Sequence, residues 1–233
     1  MRRATIKLII AILTFAVGVT VSMFWIAYHT PSIEKLPEPV ADSCFPGAST
    51  KLDVTGSASV ERISPDDFCD KQDQNEATVD LYTKHLAAMN EPALLSSNGK
   101  DESYRFLWMR TFHHPVVIRL ERSGDKRTLI VKELDGAGGY NPGKLIVNRI
   151  RPLTKSEWDE FSRRVAQACF WRLPMEDGIQ GNDGASWILE GYRQGCYHMA
   201  NRWSPADDDY RECCLYLLKI SGLGIDEHSK ELY

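Results

Sequence analysis

Residues 104–110 read YRFLWMR, a run that is apolar on both faces and therefore predicts a strand inside a sheet. Residues 116–121 (VVIRLE) alternate between apolar and polar positions, which is the period of a half-buried strand. Residues 123–125 (SGD) are typical of a turn, and residues 128–134 and 144–150 supply a third and a fourth strand. This succession of strands and short turns predicts an antiparallel meander.

Helical patterns flank these strands on both sides. Apolar residues recur with the helical period in residues 76–90 and again in residues 207–220. Thr154 and Glu157 have the spacing of a capping box, so a helix should begin there. Its apolar stripe consists of Trp158, Phe161, Val165 and Ala168. With a hairpin closer to the C-terminus, we expect an α+β domain in which an antiparallel sheet of five to six strands carries helices packed on one face.

The N-terminus has the pattern of a membrane anchor. Arg2, Arg3 and Lys7 precede an uncharged and mostly apolar run over residues 8–28. As a helix this run is roughly 30 Å long, enough to cross the hydrocarbon core of a bilayer. The positive-inside rule keeps the basic N-terminus in the cytoplasm and places everything after the run across the membrane. We therefore expect a single-pass membrane protein with an extracytoplasmic domain.

A cleaved signal peptide is the alternative interpretation, because Ala16 and Gly18 offer a weak cleavage pattern. The apolar run continues well beyond them, which favours an uncleaved signal-anchor. The predicted organisation is a transmembrane helix over residues 1–28, a linker and irregular segment over residues 29–75, and the α+β extracytoplasmic domain over residues 76–233.

The charge balance argues against one class of partner. The chain has 28 Lys and Arg against 32 Asp and Glu, and the first 30 residues hold three bases and no acids, so the remainder has a net charge of −7. A domain with a net negative charge and no cluster of basic residues lacks the positive surface that binds the phosphate backbone of nucleic acids. We therefore expect no nucleic-acid partner.

Six cysteines would lie on the oxidising side of the membrane, where disulfide bonds are permitted. Cys44 and Cys69 lie in a segment rich in Ser, Pro, Gly and Asp, where a local cross-link would stabilise most, and this pair is the predicted disulfide. The other four cysteines lie in apolar elements and are interpreted as buried thiols. No CxxC motif is present, so zinc-ribbon spacing is absent.

The C-terminal hairpin, residues 187–203, contains the candidate functional residues. If residues 193–195 form a three-residue turn, Glu190 faces His198 across the hairpin and Arg202 lies on the same face. A carboxylate opposite an imidazole, with a guanidinium nearby, could support acid–base catalysis or bind an anion. The alternative interpretation is a cross-strand polar pair on a solvated face.

Two further patterns are weaker. The loop DGAGGY begins at Asp135, but its glycine spacing matches no phosphate-binding motif, and it joins two predicted strands. His113 and His114 are adjacent, so in an extended chain they point to opposite faces and cannot share a metal ion. The sequence therefore predicts neither a metal site nor a cofactor.

These patterns favour a non-catalytic function. We expect a membrane-anchored extracytoplasmic module that binds another component of the cell envelope, either a protein or a smaller ligand. The alternative is an envelope hydrolase or metal-dependent enzyme that uses His198, Glu190 and Asp135. The two hypotheses differ in geometry, since an enzyme requires these side chains to converge in a concave pocket.

Overall fold

The computed structural model describes residues 50–52, 58–60, 76–94, 99–226, 229 and 232–233. The predicted membrane anchor, most of the linker and the predicted Cys44–Cys69 disulfide lie outside these residues. Of the four cysteines interpreted as buried thiols, Cys196, Cys213 and Cys214 are buried thiols, whereas Cys169 is half-buried and disulfide-bonded, so the prediction is wrong for Cys169. Within the described part of the chain, no helix is both long enough and apolar enough to cross a membrane.

The centre of the fold is a six-stranded antiparallel sheet, which confirms the predicted α+β class and strand number. Two short strands, β1 and β2, form a separate antiparallel hairpin (Thr50–Leu52 and Ala58–Val60). The main sheet has the order β6-β5-β4-β3-β7-β8. Its strands are β3 (Glu102–Arg110), β4 (Val116–Ser123), β5 (Lys126–Leu134), β6 (Leu145–Pro152), β7 (Ala185–Arg193) and β8 (Cys196–Trp203). Strands β3 to β6 form the predicted meander, and β7 pairs with the free side of β3.

In the described part of the chain, three α-helices accompany the main sheet: α1 (Glu76–Ala88), α2 (Lys155–Gln167) and α3 (Asp209–Ser221). The predicted capping box at the start of α2 is confirmed, because the Thr154 hydroxyl accepts from the Glu157 amide while the Glu157 carboxylate accepts from the Thr154 amide. The Asp208 side chain caps α3 by accepting from the Arg211 amide. Both helices therefore begin where side chains satisfy their first amides.

The helices lie on both faces of the sheet, so the prediction that they pack on one face is wrong. Tyr104 and Phe106 of β3 contribute to a core with the apolar stripes of α2 and α3, and we call this side the α2/α3 face. Leu107 and Met109 alternate with them and pack with the apolar residues of α1, on the side we call the α1 face. The sequence of β3 explains this arrangement. Both faces of the strand carry large apolar side chains and are buried, so each face needs a covering layer.

The hairpin between β7 and β8 has a register that differs by one residue from the predicted one. Arg193 pairs with Cys196 across a two-residue turn, in which Gln194 and Gly195 have φ values of +52° and +84°. These positive values are those of a type I′ turn, whose twist matches the flanking strands. The predicted three-residue turn required a positive φ only at Gly195, whereas in the structure Gln194 also has one. Because side chains alternate along a strand, this shift moves every residue of β8 to the opposite face relative to β7.

Candidate functional site

The corrected register separates the three candidate residues of the hairpin. Glu190 is directly opposite Met199 and lies on the α1 face. His198 is opposite Gly191, and Arg202 is opposite Trp187, which places both of them on the α2/α3 face. The structure therefore does not bring the carboxylate to the imidazole.

His198 and Arg202 each contact structural elements. The His198 ring lies edge-on to Phe170, with 5.0 Å between ring centroids. The Arg202 guanidinium donates to the carbonyl oxygens of Pro174 at 2.8 Å and Met175 at 3.2 Å. Arg202 is buried, and its N–H groups bond to the segment that follows the short 3₁₀ turn at Phe170–Arg172. Such contacts hold that segment against β8.

The other polar residues singled out from the sequence also have separate partners. The Asp135 carboxylate accepts from the Lys144 amide at 2.6 Å and closes its own loop. His113 Nδ1 lies 2.6 Å from the Tyr233 hydroxyl, and His114 Nδ1 lies 3.0 Å from a carboxylate oxygen of β5. Among the described residues, no group of three His, Cys, Asp or Glu side chains is arranged to hold a metal ion.

A buried cluster of charges beneath α1 is the largest polar feature that the sequence analysis missed. We call it the α1 charge cluster; its members are Glu91, Arg105, Arg119, Lys132 and Glu190. Arg105 Nε and Nη2 donate to the two carboxylate oxygens of Glu190 at 2.6 and 2.8 Å. The Glu91 carboxylate contacts Arg119 Nε at 2.9 Å and Lys132 Nζ at 2.7 Å, and Arg105 Nη1 lies 3.6 Å away. Each cation thus has a carboxylate partner.

The backbone at the end of α1 positions Glu91. Asn90 has a φ of +51°, and the Glu91 amide donates to the Leu86 carbonyl while the Asn90 amide donates to the Ala87 carbonyl. This pair of bonds is a Schellman motif, which ends the helix and turns the following residue back toward the core. The Glu91 side chain is 0% exposed as a result.

The cluster has the chemistry of a clamp between α1 and the sheet. Burial alone would lower the pKa of Arg105, but the Glu190 carboxylate outweighs it and raises the pKa above its usual value. The Tyr197 hydroxyl donates to Glu190 at 2.9 Å, and burial followed by the Glu190 charge raises the pKa of Tyr197. A guanidinium and a phenol that stay protonated cannot exchange protons with a substrate. One sequence signal could have revealed the cluster: Arg105, Arg119 and Lys132 each lie within or directly beside the apolar run of their strand.

A pocket of about 280 Å³ opens at one end of the sheet on the α1 face. Ser186 of β7 and Trp203 of β8 form a directly opposed pair in its wall, and Leu81 of α1 closes the side above them. The complete lining is Leu81, Met109, Thr111, Gly138, Gly139, Tyr140, Gly181, Asn182, Ser186 and Trp203. Three separate parts of the chain therefore meet at this pocket: α1, the loop at 135–144 and the loop at 177–184.

Glycines allow the two loops to approach the sheet closely enough to form the pocket. A Cβ at Gly138 would lie 2.6 Å from the Arg110 carbonyl oxygen, and the Gly138 amide donates to that oxygen at 3.0 Å. A Cβ at Gly181 would overlap the indole nitrogen of Trp203, and one at Gly184 would lie 2.7 Å from the same ring. The glycine-rich sequence at 135–140 therefore provides close packing, consistent with its lack of a phosphate-binding motif.

His85 connects α1 to one of the loops that line the pocket. Its side chain is fully buried, its Nδ1 lies 2.7 Å from the Leu81 carbonyl oxygen, and its Nε2 lies 3.4 Å from the Ala137 carbonyl oxygen. The ring thus bridges α1 and the loop at 135–144. Because Leu81 lines the pocket one helical turn earlier, the pocket depends on the position of α1.

Comparisons with known proteins add no assignment. No protein-family model matches the chain, and a search of curated proteins finds no match either.

Proposed function

We propose that this chain is a membrane-anchored, extracytoplasmic binding module whose ligand enters the pocket between α1 and the two glycine-containing loops. The observation that carries the proposal is the chemistry of the pocket wall, which combines apolar, aromatic and uncharged polar groups. Binding sites for small ligands typically have such a mixed lining. The membrane anchor rests on the apolar run at residues 8–28 and its basic flank.

The position of the candidate acid–base residues supports binding over catalysis. Glu190 is held by Arg105 and Tyr197, and His198 lies on the other face of the sheet. None of these residues lines the pocket. The hydrolase alternative therefore has no specific observation in its favour.

Thiol labelling in intact cells tests both parts of the proposal. Asn182 is exposed at the mouth of the pocket, and Lys155 is exposed at the start of α2, so Asn182→Cys and Lys155→Cys give a test and a control position. A membrane-impermeant maleimide should label both full-length variants in intact cells, because both positions are proposed to lie outside the cytoplasm. At the pocket, the bound ligand should slow labelling in cells relative to the purified chain, whereas the control position should react at the same rate in both.

Two results would contradict the proposal in different ways. Labelling that requires permeabilised cells would refute the extracytoplasmic location. At each position, the labelling rate in cells is divided by the labelling rate of the purified chain. If this ratio is the same at positions 182 and 155, the pocket is empty in cells and is not the binding site.

A further inference from the structure

The charge of the pocket wall restricts its ligand. All ten lining residues are uncharged, so among the described residues neither a cation nor a carboxylate lines the cavity. An ionised ligand would lose part of its hydration there without gaining a counter-charge. The uncharged wall therefore favours a neutral ligand over a phosphate-, carboxylate- or ammonium-bearing one.

The polar groups of the wall exclude a purely apolar ligand. The side chains of Asn182, Ser186 and Trp203 form no hydrogen bond with other described residues, whereas the Thr111 hydroxyl is already engaged by the Gly184 carbonyl at 2.9 Å. An amide, a hydroxyl and an indole N–H therefore remain available at the pocket surface. An apolar ligand would displace their water and leave them unpaired, which costs about 1–3 kcal/mol for each group.

Apolar surface completes the wall. Leu81 and Met109 contribute aliphatic groups, and the Tyr140 ring is 57% exposed beside the equally exposed Phe112, with 6.1 Å between the two ring centroids. Exposed aromatic rings next to uncharged hydrogen-bonding groups suit a ligand that has an apolar face and a polar rim. The volume of about 280 Å³ lies at the lower end of ligand pockets, so it suits a single ring better than an extended chain.

We infer that the pocket binds one ring of an uncharged carbohydrate. A sugar ring has an apolar C–H face for the aromatic and aliphatic wall and hydroxyl groups at its rim for Asn182, Ser186 and the Trp203 indole. This inference rests on the proposed function, because it names the ligand class of the same pocket.

Nuclear magnetic resonance of the full-length chain in detergent tests the inference directly. The probes are three neutral oligosaccharides, N,N′,N″-triacetylchitotriose, cellotriose and maltotriose, and the reporter is the indole N–H resonance of Trp203, assigned with Trp203→Phe. At least one probe should shift this resonance in a saturable manner. Ser186→Ala and Asn182→Ala should each weaken the binding about fivefold, as expected for the loss of one hydrogen bond. Ile179→Ala, an exposed position in the neighbouring loop that does not line the pocket, should leave the affinity unchanged.

Three outcomes would overturn the inference. The first is that none of the neutral saccharides shifts the resonance. The second is that Ser186→Ala and Asn182→Ala bind as tightly as the unchanged chain. The third is that a charged saccharide, titrated in the same way as a comparison, binds more tightly than the neutral ones. Protection of position 182 in cells together with no saccharide binding would refute the carbohydrate but retain the binding module. Loss of both signals would refute both.

Discussion

Removing one charge from the α1 charge cluster should cost far more stability than removing a surface charge. Glu190 is 5% exposed and accepts two hydrogen bonds from Arg105, which is 2% exposed. Glu190→Gln keeps the size of the side chain but leaves the Arg105 guanidinium without its main counter-charge. Breaking a buried pair in this way typically costs about 3–5 kcal/mol. We expect about 3 kcal/mol, because Glu91 lies 3.6 Å from Arg105 and compensates part of the loss.

Urea unfolding of the full-length chain, followed by tryptophan fluorescence, measures this cost. The matched control is Glu212→Gln, because the Glu212 side chain is 60% exposed in its pair with Arg164 and should contribute less than about 1 kcal/mol. The double variant Arg105→Met with Glu190→Met should be far more stable than the sum of the single losses predicts, since no unpaired charge remains.

The reasoning would be refuted if Glu190→Gln cost no more than Glu212→Gln. It would also be refuted if the losses from Arg105→Met and Glu190→Met were additive in the double variant. Either result would mean that water reaches the buried pair between Glu190 of β7 and Arg105 of β3.

Three other predictions concern α2, the hairpin and the cysteines. Hydrogen bonds from Arg151 lower the pKa of Glu157 to about 2 from 4.5, so Glu157→Gln should cost about 1 kcal/mol at neutral pH. In urea titrations the difference from the unchanged chain should shrink as the pH falls from 4.5 to 2; a difference that stays the same at pH 2 would contradict a contribution from the ionised carboxylate. Gly195→Ala should lower the unfolding free energy by about 1 kcal/mol because of its positive φ, whereas Gln194→Gly should not lower it; equal losses would contradict the type I′ turn. Cys196, Cys213 and Cys214 are buried thiols, and burial raises the pKa of the Cys213 thiol to about 12, so mass analysis after alkylation of the folded chain should find none of the three labelled. A label on any of them before unfolding would contradict their burial.

The positions of the strands and helices were largely predictable because they depend on short-range patterns. The capping box at Thr154 and Glu157 lies within four consecutive residues, and the apolar stripe of α2 repeats with the helical period. The six strands follow from apolar runs separated by turn residues. In each case the residues that make the decisive contacts are neighbours in the sequence.

The candidate site was not predictable in the same way, since its residues meet only after the chain has folded. The hairpin register was decided by whether Gln194 takes a positive φ, and the local sequence is compatible with either turn. That choice placed Met199 instead of His198 opposite Glu190.

The sequence by itself determined the class of the fold and the positions of most of its elements, because hydrophobic periodicity and helix capping act over a few residues. Tertiary structure alone decided that α1 covers the second face, that Glu91 meets three cations from three strands, and that two glycine-containing loops line one pocket. The physical reason is that burial of a charge and formation of a pocket depend on partners far apart in the chain. Local propensity carries no information about such partners.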